Sequence, residues 1–479
     1  MTGLRWNSGS TIGLALGQLL LLLWSATQMP KSELGLMALL HTFIGFGSFF
    51  TDAGLTNFVL HEAELQPAQW RFIHRLNLLL GAAAGAILIV ASNWLGIFFG
   101  DPRLPQLLFL AGLAIAGISL GTLHRTLLRR DLRFALVSKI AIIAFFMGTV
   151  ISVLLVINGW GASGLLWGRL INFWISAVAF IWYGRPYFHW FGAATRPRKS
   201  AWWQFGMFQI GEQVVNYFRH RLDNLLVAKF LGLEIMGGYD LLKQLLGRPM
   251  MLISSVSGQV LLPVILTQKP GQSRLRAAYY DVLAFNSSLN FPFFIGIALL
   301  APSFLTVLPG GQWDYWITVV PVLSLLFLLQ STGSSASLPV MSAGRADVSF
   351  IWNLVLCLLV PFFIWAGLSW SVYGVVWSLA GMQILLFLPN YLFLIKPFVG
   401  GSFPTYGAVL IRPLLLAILA GAGAWSMQYV VGVSVFGFMG GLLFMLLIYT
   451  WLTFRFNQKF WRFCRQFMQG RKPTYLDGQ

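Results

Sequence analysis

FGMFQIGEQVVNYFRHRLDNLLVAKFLG (205–232) and GYDLLKQLLGRPMMLISSVSGQVLLPVIL (238–266) are two hydrophobic stretches that hold more charge than lipid tolerates. Wound at 3.6 residues per turn, Gln209, Glu212, Asn216, Arg219 and Asp223 fall on one narrow face of the first stretch. In the second, Asp240, Lys243, Gly247, Ser254 and Gly258 share a face, with Arg248 at its edge. An ionisable group at membrane depth costs roughly 2.5–3.5 kcal/mol on insertion scales, so it normally faces a protein interior or a watery cavity. The pattern predicts a polar pathway between helices. The alternative is an intrahelical Arg219–Asp223 pair that only holds helices together. A break is expected over 232–237, between the two stretches.

The rest of the chain supplies the membrane context. It is 57% hydrophobic and 10% charged over 479 residues, with a mean hydropathy of +0.75. A soluble chain of this length would not read so; a polytopic membrane protein does. Cys357 and Cys464 lie far apart with no metal-binding spacing, so neither a disulfide nor a metal site is expected. Thr11–Met29 is long for a signal-peptide core and lacks a small-residue cleavage site, which predicts a retained first helix.

Hydrophobic runs recur to the end, about fourteen in all: 10–29, 34–60, 72–98, 104–124, 135–157, 160–183, 204–231, 237–268, 278–307, 315–340, 348–368, 371–397, 407–430 and 432–455. The net charge of +18 is a topology signal rather than a nucleic-acid footprint. Counting from a cytoplasmic N-terminus, the inner connections and tail hold most of the 32 Lys and Arg residues, including Arg125, Arg129, Arg130, Arg133, Arg274 and Arg276. The outer connections hold only Lys31 and Arg103. That asymmetry obeys the positive-inside rule and predicts both termini in the cytoplasm, with anionic headgroups of the membrane lipids as a secondary attraction.

An internal repeat is visible. A short Glu/Gly element at Glu33–Leu34–Gly35, expected to end helix 1, recurs about 200 residues on at Glu234–Gly237 after helix 7. Gly100–Asp101–Pro102 recurs as Pro309–Gly310–Gly311. The expected fold is all-α and polytopic. Its first lobe spans 1–200 (helices 1–6) and its second 201–400 (helices 7–12); helices 13–14 (401–456) and a basic cytoplasmic tail (457–479) follow. Transporters built from repeats place substrate between the repeats near mid-membrane.

Further polar residues sit inside spans. His41, Gly45, Ser48 and Asp52 form a polar face on helix 2. Asp52 is a candidate for exchanging a coupling ion or proton, or else a helix-end carboxylate bound to a neighbouring loop. Arg169, Asn172 and Ser176 share a face of helix 6; Arg169 either faces the cavity of Arg219 or snorkels outward. No P-loop, HExxH or nucleophile elbow occurs, and the outer connections are too short for a catalytic domain. Transport without chemistry is expected, hence no enzyme and no cofactor.

Five stretches carry a family resemblance: FFTDAGLTNFVLHEAEL (49–65), FFGDPRL (98–104), LLRRDLRF (127–134), FRHRLDNLLVAKFLG (218–232) and LLPVILTQKPGQSRLRAAYY (261–280). Over roughly residues 5–400 the chain resembles the bacterial polysaccharide flippases, of O-antigen and colanic-acid type, of the multidrug/oligosaccharidyl-lipid/polysaccharide exporter superfamily. The resemblance implies movement of undecaprenyl-pyrophosphate-linked oligosaccharide across the inner membrane, with a polysaccharide polymerase and glycosyltransferases as partners. It also implies a cationic central cavity, which maps here to Arg219, Arg221, Lys243 and Arg248, joined by Arg169. The in-span carboxylates are Asp52, Glu212, Asp223 and Asp240. The rival readings are a cation-coupled multidrug exporter of the same superfamily and a membrane polysaccharide polymerase or ligase.

Overall fold

The structure, a computed structural model, describes residues 2–52, 59, 66–185, 192, 194–195, 201–267, 273–308, 313–336, 339–340, 343, 345–458, 460–461 and 464–465. At 2–9, 12, 52, 201–210, 212, 256, 259–267, 274 and 346 it describes the backbone alone. The side chains of Asp52 and Glu212, and residues 466–479 of the expected basic tail, thus lie outside the described residues.

Among the described residues fourteen long helices follow one another: α1 (Thr2–Gln28), α2 (Lys31–Asp52), α3 (Pro67–Phe99), α4 (Leu104–Arg130), α5 (Phe134–Ile157), α6 (Gly161–Gly184) and α7 (Ala201–Leu231). The series continues with α8 (Leu233–Thr267), α9 (Ser273–Leu299), α10 (Val319–Gly333), α11 (Ala346–Gly367), α12 (Ser371–Asn390), α13 (Phe403–Val431) and α14 (Val435–Phe456). They match the expected spans one for one. A two-turn helix, Ala301–Val307, follows α9, and Tyr391–Ile395 adds a π-helical turn after α12. Nine candidate membrane spans are long and apolar enough among the described residues, one of them covering α11 and α12 together. The charged α7 and α8 are not among the nine.

Local chemistry sets the helix ends. Pro67 opens α3 at a position whose N–H is unneeded, and the Gln66 backbone N–H donates to Gln69 Oε1 at 2.9 Å. Gly100 closes α3 in the left-handed region, its N–H returning to the Gly96 carbonyl. Arg129 and Arg130 sit in the last turn of α4, where cations complement the helix dipole. The outward faces are apolar: Ile87, Val90 and Ile97 on α3, Phe146 on α5 and Leu443 on α14 are all exposed. In water such faces would mark a binding surface or an aggregation hazard; in a bilayer they are the lipid contact.

Two elements differ from the sequence reading. Gly232 alone interrupts α7 and α8, with φ +88°, and the helix resumes at Leu233. Only the position needing positive φ breaks, and Glu234 falls in the first turn of α8, where the dipole favours an anion. Likewise α1 stops at Gln28, so Glu33–Gly35 opens α2 rather than ending α1. Both Glu/Gly elements are therefore first turns. They also meet: a Cβ on Gly35 would strike the Leu233 carbonyl, and one on Gly237 the Lys31 carbonyl. Lys31 and Leu233 open their helices, and the two glycines stand at the same place in each. The contact is thus reciprocal, each glycine meeting the first residue of the other's helix.

The chain forms two compact units, Met1–Asp240 and Leu241–Gln479. In the first, α3 packs on α4, α4 on α6 and α5 on α6, while α2 lies against α3, α4 and α7. Small residues allow the close approaches, as where Gly85 of α3 meets Gly112 of α4 backbone to backbone. In the second, α9 packs on α10, α10 on α12 and α11 on α12, the same pattern six helices later. The pair α13 and α14 packs together and against α9.

Candidate functional site

The RLDN segment of α7 and the start of α8 build the best-defined polar structure in the first unit. Tyr217, Arg221 and Asn224 follow i, i+4, i+7 and share a face of α7. Asn224 Nδ2 donates to Asp240 Oδ1 at 2.6 Å, and Arg221 Nη1 approaches the same oxygen at 3.5 Å. One residue earlier on α8, the Tyr239 hydroxyl donates to Asp223 Oδ2 at 2.7 Å. The Asn224 backbone N–H donates to Asp223 Oδ1 at 2.9 Å. Asp223 and Asp240 are 7% and 4% exposed, so these bonds replace water that the carboxylates have lost. All three polar residues of RLDN therefore clasp the pair Tyr239–Asp240. Asp223, which the alternative reading offers as an intrahelical partner for Arg219, accepts the Tyr239 hydroxyl.

Arg219 lies on the neighbouring stripe of α7. Its Nη2 donates to His220 Nε2 at 2.7 Å and reaches Asn216 Oδ1 at 3.5 Å. His220 Nδ1 bonds the Asn216 carbonyl at 2.8 Å. A ring that donates from Nδ1 and accepts at Nε2 is the neutral imidazole, so the positive charge here belongs to the guanidinium.

Arg169 reaches the same region from α6. Its Nη1 sits 2.5 Å from His41 Nε2 on α2, and its guanidinium lies 5.6 Å from the Phe173 ring centroid. It is within electrostatic range of Tyr217 and Arg221. Its Nε is buried without a hydrogen-bond partner among the described residues. Arg169 thus turns inward rather than snorkelling. Tyr217, whose hydroxyl donates to the Thr42 carbonyl at 2.6 Å, ties α7 to α2. On its other side is an apolar cavity of about 410 Å³ walled by Phe43, Phe46, Phe50, Ile115 and Phe218.

The structure therefore gathers Arg169, Arg221 and Asp240, with Arg219 and Asp223 two residues to either side of Arg221 on α7. Lys243 and Arg248 lie further along α8, in the second unit, and both are half-buried. His41, Tyr217, Asn224 and Tyr239 are additions that the sequence reading did not place in the site. The i, i+4, i+7 run from Tyr217 was the available signal for two of them. Among the described residues no cluster of His, Cys, Asp and Glu has the makings of a metal site.

Known proteins share both the sequence pattern and the helix order. Residues 29–318 match the family described as Polysaccharide biosynthesis protein. The chain is 26% identical over 430 residues to the Lipopolysaccharide biosynthesis protein WzxC of Escherichia coli (strain K12), covering 87% of this chain and 85% of that one. It is 24% identical over 362 residues to the Amylovoran biosynthesis protein AmsL of Erwinia amylovora, covering 74% and 91%. Among solved structures, the Lipid II flippase MurJ in an inward closed conformation superposes with a TM-score of 0.70 at 15% identity, covering 94% of this chain and 98% of that one. An inward-facing multidrug resistance MATE family transporter of the MOP superfamily gives 0.53 at 15% identity, covering 86% and 94%. These two likenesses establish the polytopic all-helical transporter fold. With more than half of its length matched, including the helices that hold the RLDN clasp and Arg169, the chain belongs to the polysaccharide biosynthesis protein family.

Proposed function

We propose that this protein is a flippase that moves undecaprenyl-pyrophosphate-linked oligosaccharide from the cytoplasmic to the periplasmic leaflet of a bacterial inner membrane. It works by ion-coupled alternating access, with lobes at 1–200 and 201–400 and both termini cytoplasmic. The observation that carries the reading is Arg169: a guanidinium inside the first unit, within range of Arg221, with a buried Nε–H that has no acceptor among the described residues. A pyrophosphate has the charge and the acceptor oxygens such a group lacks, and guanidinium forks bind phosphate through two parallel hydrogen bonds. Arg219, Arg221, Lys243 and Arg248 complete the proposed cationic path, and Asp52, Glu212, Asp223 and Asp240 are its carboxylates. The apolar cavity beside Tyr217 suits the hydrocarbon end of an amphipathic substrate. The relatives' names, which speak of lipopolysaccharide and amylovoran biosynthesis, support the same substrate class. Polymerase and glycosyltransferases are the proposed partners, and no bond is made or broken by this chain.

A drug exporter of the same fold would need an acidic interior for cationic drugs, whereas Asp223 and Asp240 already hold protein donors. The test is leaflet transfer in proteoliposomes. A fluorescent undecaprenyl-pyrophosphate oligosaccharide should cross when the purified chain is present, and ethidium should not. Ethidium transport without lipid-linked sugar transport would overturn the proposal.

A further inference from the structure

We propose that a second cavity in the first unit is a carbohydrate-binding vestibule that takes neutral pyranose rings of the substrate's glycan. This rests on the flippase reading. The cavity, about 660 Å³, is formed where the α1–α2 junction, the start of α4 and the α5–α6 connection come together. Its volume is that of a typical small-ligand site. It lies at the helix ends that carry Lys31 and Arg103, the side opposite the basic connections.

Its wall differs from that of the apolar cavity beside Tyr217. Trp160 and Trp167 provide aromatic surface; Trp160 is exposed and Trp167 half-buried. The face of an indole is electron-rich, and the C–H bonds on one face of a pyranose are its complement. Around them stand the amides of Gln28, Gln106 and Asn158. Amides offer both donor and acceptor, as sugar hydroxyls require. Asn158 spends Nδ2 on the Leu154 carbonyl at 2.7 Å, which leaves Oδ1 as an acceptor.

Charge decides which part of the substrate fits. Arg103 is shared by two carboxylates: it donates to Glu33 Oε1, to Asp101 Oδ2 at 2.8 Å and to Asp101 Oδ1 at 3.1 Å. Glu33 Oε2 also accepts the Ala162 N–H at 2.7 Å, fastening three connections into one frame before any ligand arrives. Within the wall Glu33 and Arg103 offset one another, and Asp101 and Lys31 beside it do the same, so the frame has no surplus cation. Pyrophosphate and acidic sugars would shed water there without gaining a counter-ion, whereas neutral rings lose nothing of the kind.

The test uses the full chain in lipid nanodiscs and saturation-transfer NMR, with cellotetraose as the neutral probe and a hyaluronan tetrasaccharide as the acidic one. Ring C–H protons of cellotetraose should receive saturation, and the acidic probe should bind more weakly. Trp160→Ala and Trp167→Ala should each weaken cellotetraose binding about tenfold. Trp160→Phe should retain most of it, and Trp94→Ala, on the exposed face of α3, should change nothing. No transfer to cellotetraose, or equal transfer in the Trp160→Ala/Trp167→Ala double variant, would overturn the vestibule and leave these tryptophans as membrane-interface anchors. Since binding is read without transport, binding with no leaflet transfer would refute the flippase and keep the vestibule.

Discussion

Two buried polar networks, one in each unit, differ in kind. The network around Asn286, Gln428 and Tyr449 in the second is neutral: Asn286 bonds Ser257 and, through Nδ2, Ser335 Oγ at 2.9 Å. Gln428 Nε2 donates to Ser303 Oγ at 2.8 Å, and the Tyr449 hydroxyl to the Ser288 carbonyl at 2.8 Å. The network around RLDN in the first is charged: Arg169 with His41, Arg221 and Asn224 with Asp240, and Tyr239 with Asp223. Neutral pairs between helices satisfy one another and hold the helices in place. Charged groups cost far more to bury, and one of them, Arg169, keeps an N–H with no acceptor among the described residues. That asymmetry separates scaffold from site.

The largest effect is expected at Asp240. Asp240→Ala removes the acceptor shared by Arg221 and Asn224 and leaves a guanidinium half-buried with no counter-ion at that position. Thermal unfolding in detergent should show a loss of about 3–5 kcal/mol. In the same assay Asn286→Ala, which breaks two neutral bonds, should cost about 1–3 kcal/mol. Equal losses would erase the distinction between the two networks.

A smaller effect is expected at the outer frame. Arg103 is half-exposed, so Arg103→Ala should cost about 1 kcal/mol at neutral pH. The side-chain hydrogen bond from Arg103 holds the Asp101 carboxyl below the usual carboxylate range. A depressed folded-state value stabilises the protein above the unfolded value, and the benefit is lost as pH falls through the folded one. The difference in melting temperature between wild type and Arg103→Ala should therefore persist from neutral pH down to about pH 4 and close below it. A gap that stays constant into acid would show that the Arg103–Asp101 pair contributes nothing to stability.

The helix count was legible because hydropathy is an average over many residues, and the α7 and α8 faces because helical spacing is fixed. The partners were not. RLDN reads as a cation flanked by an anion, yet its three polar side chains turn to Tyr239–Asp240, a contact made by the sharp reversal at Gly232. The glycines at 232–237 look like one loop in sequence. Only Gly232 needs its φ, whereas Gly237 serves the crossing with Gly35. Arg169 was left between two readings because spacing on one helix cannot show that His41, on another, stands 2.5 Å away. The vestibule escaped for a similar reason, since its wall is drawn from three connections distant in sequence.

On the proposed function, the arginines of the first unit hold the pyrophosphate while the neutral network of the second holds the fold. Leaflet transfer of fluorescent undecaprenyl-pyrophosphate oligosaccharide should be measured in proteoliposomes for Arg169→Lys, Arg219→Lys and Asn286→Ser at matched protein levels. Lysine keeps the charge and loses the two-pronged donor. Both lysine variants should fold normally, melt within a few degrees of wild type and lose about 90% of transfer, a cost of about 1.4 kcal/mol in a transport barrier. Asn286→Ser should melt earlier yet transfer at the wild-type rate per folded molecule. Wild-type transfer in both lysine variants would contradict the account.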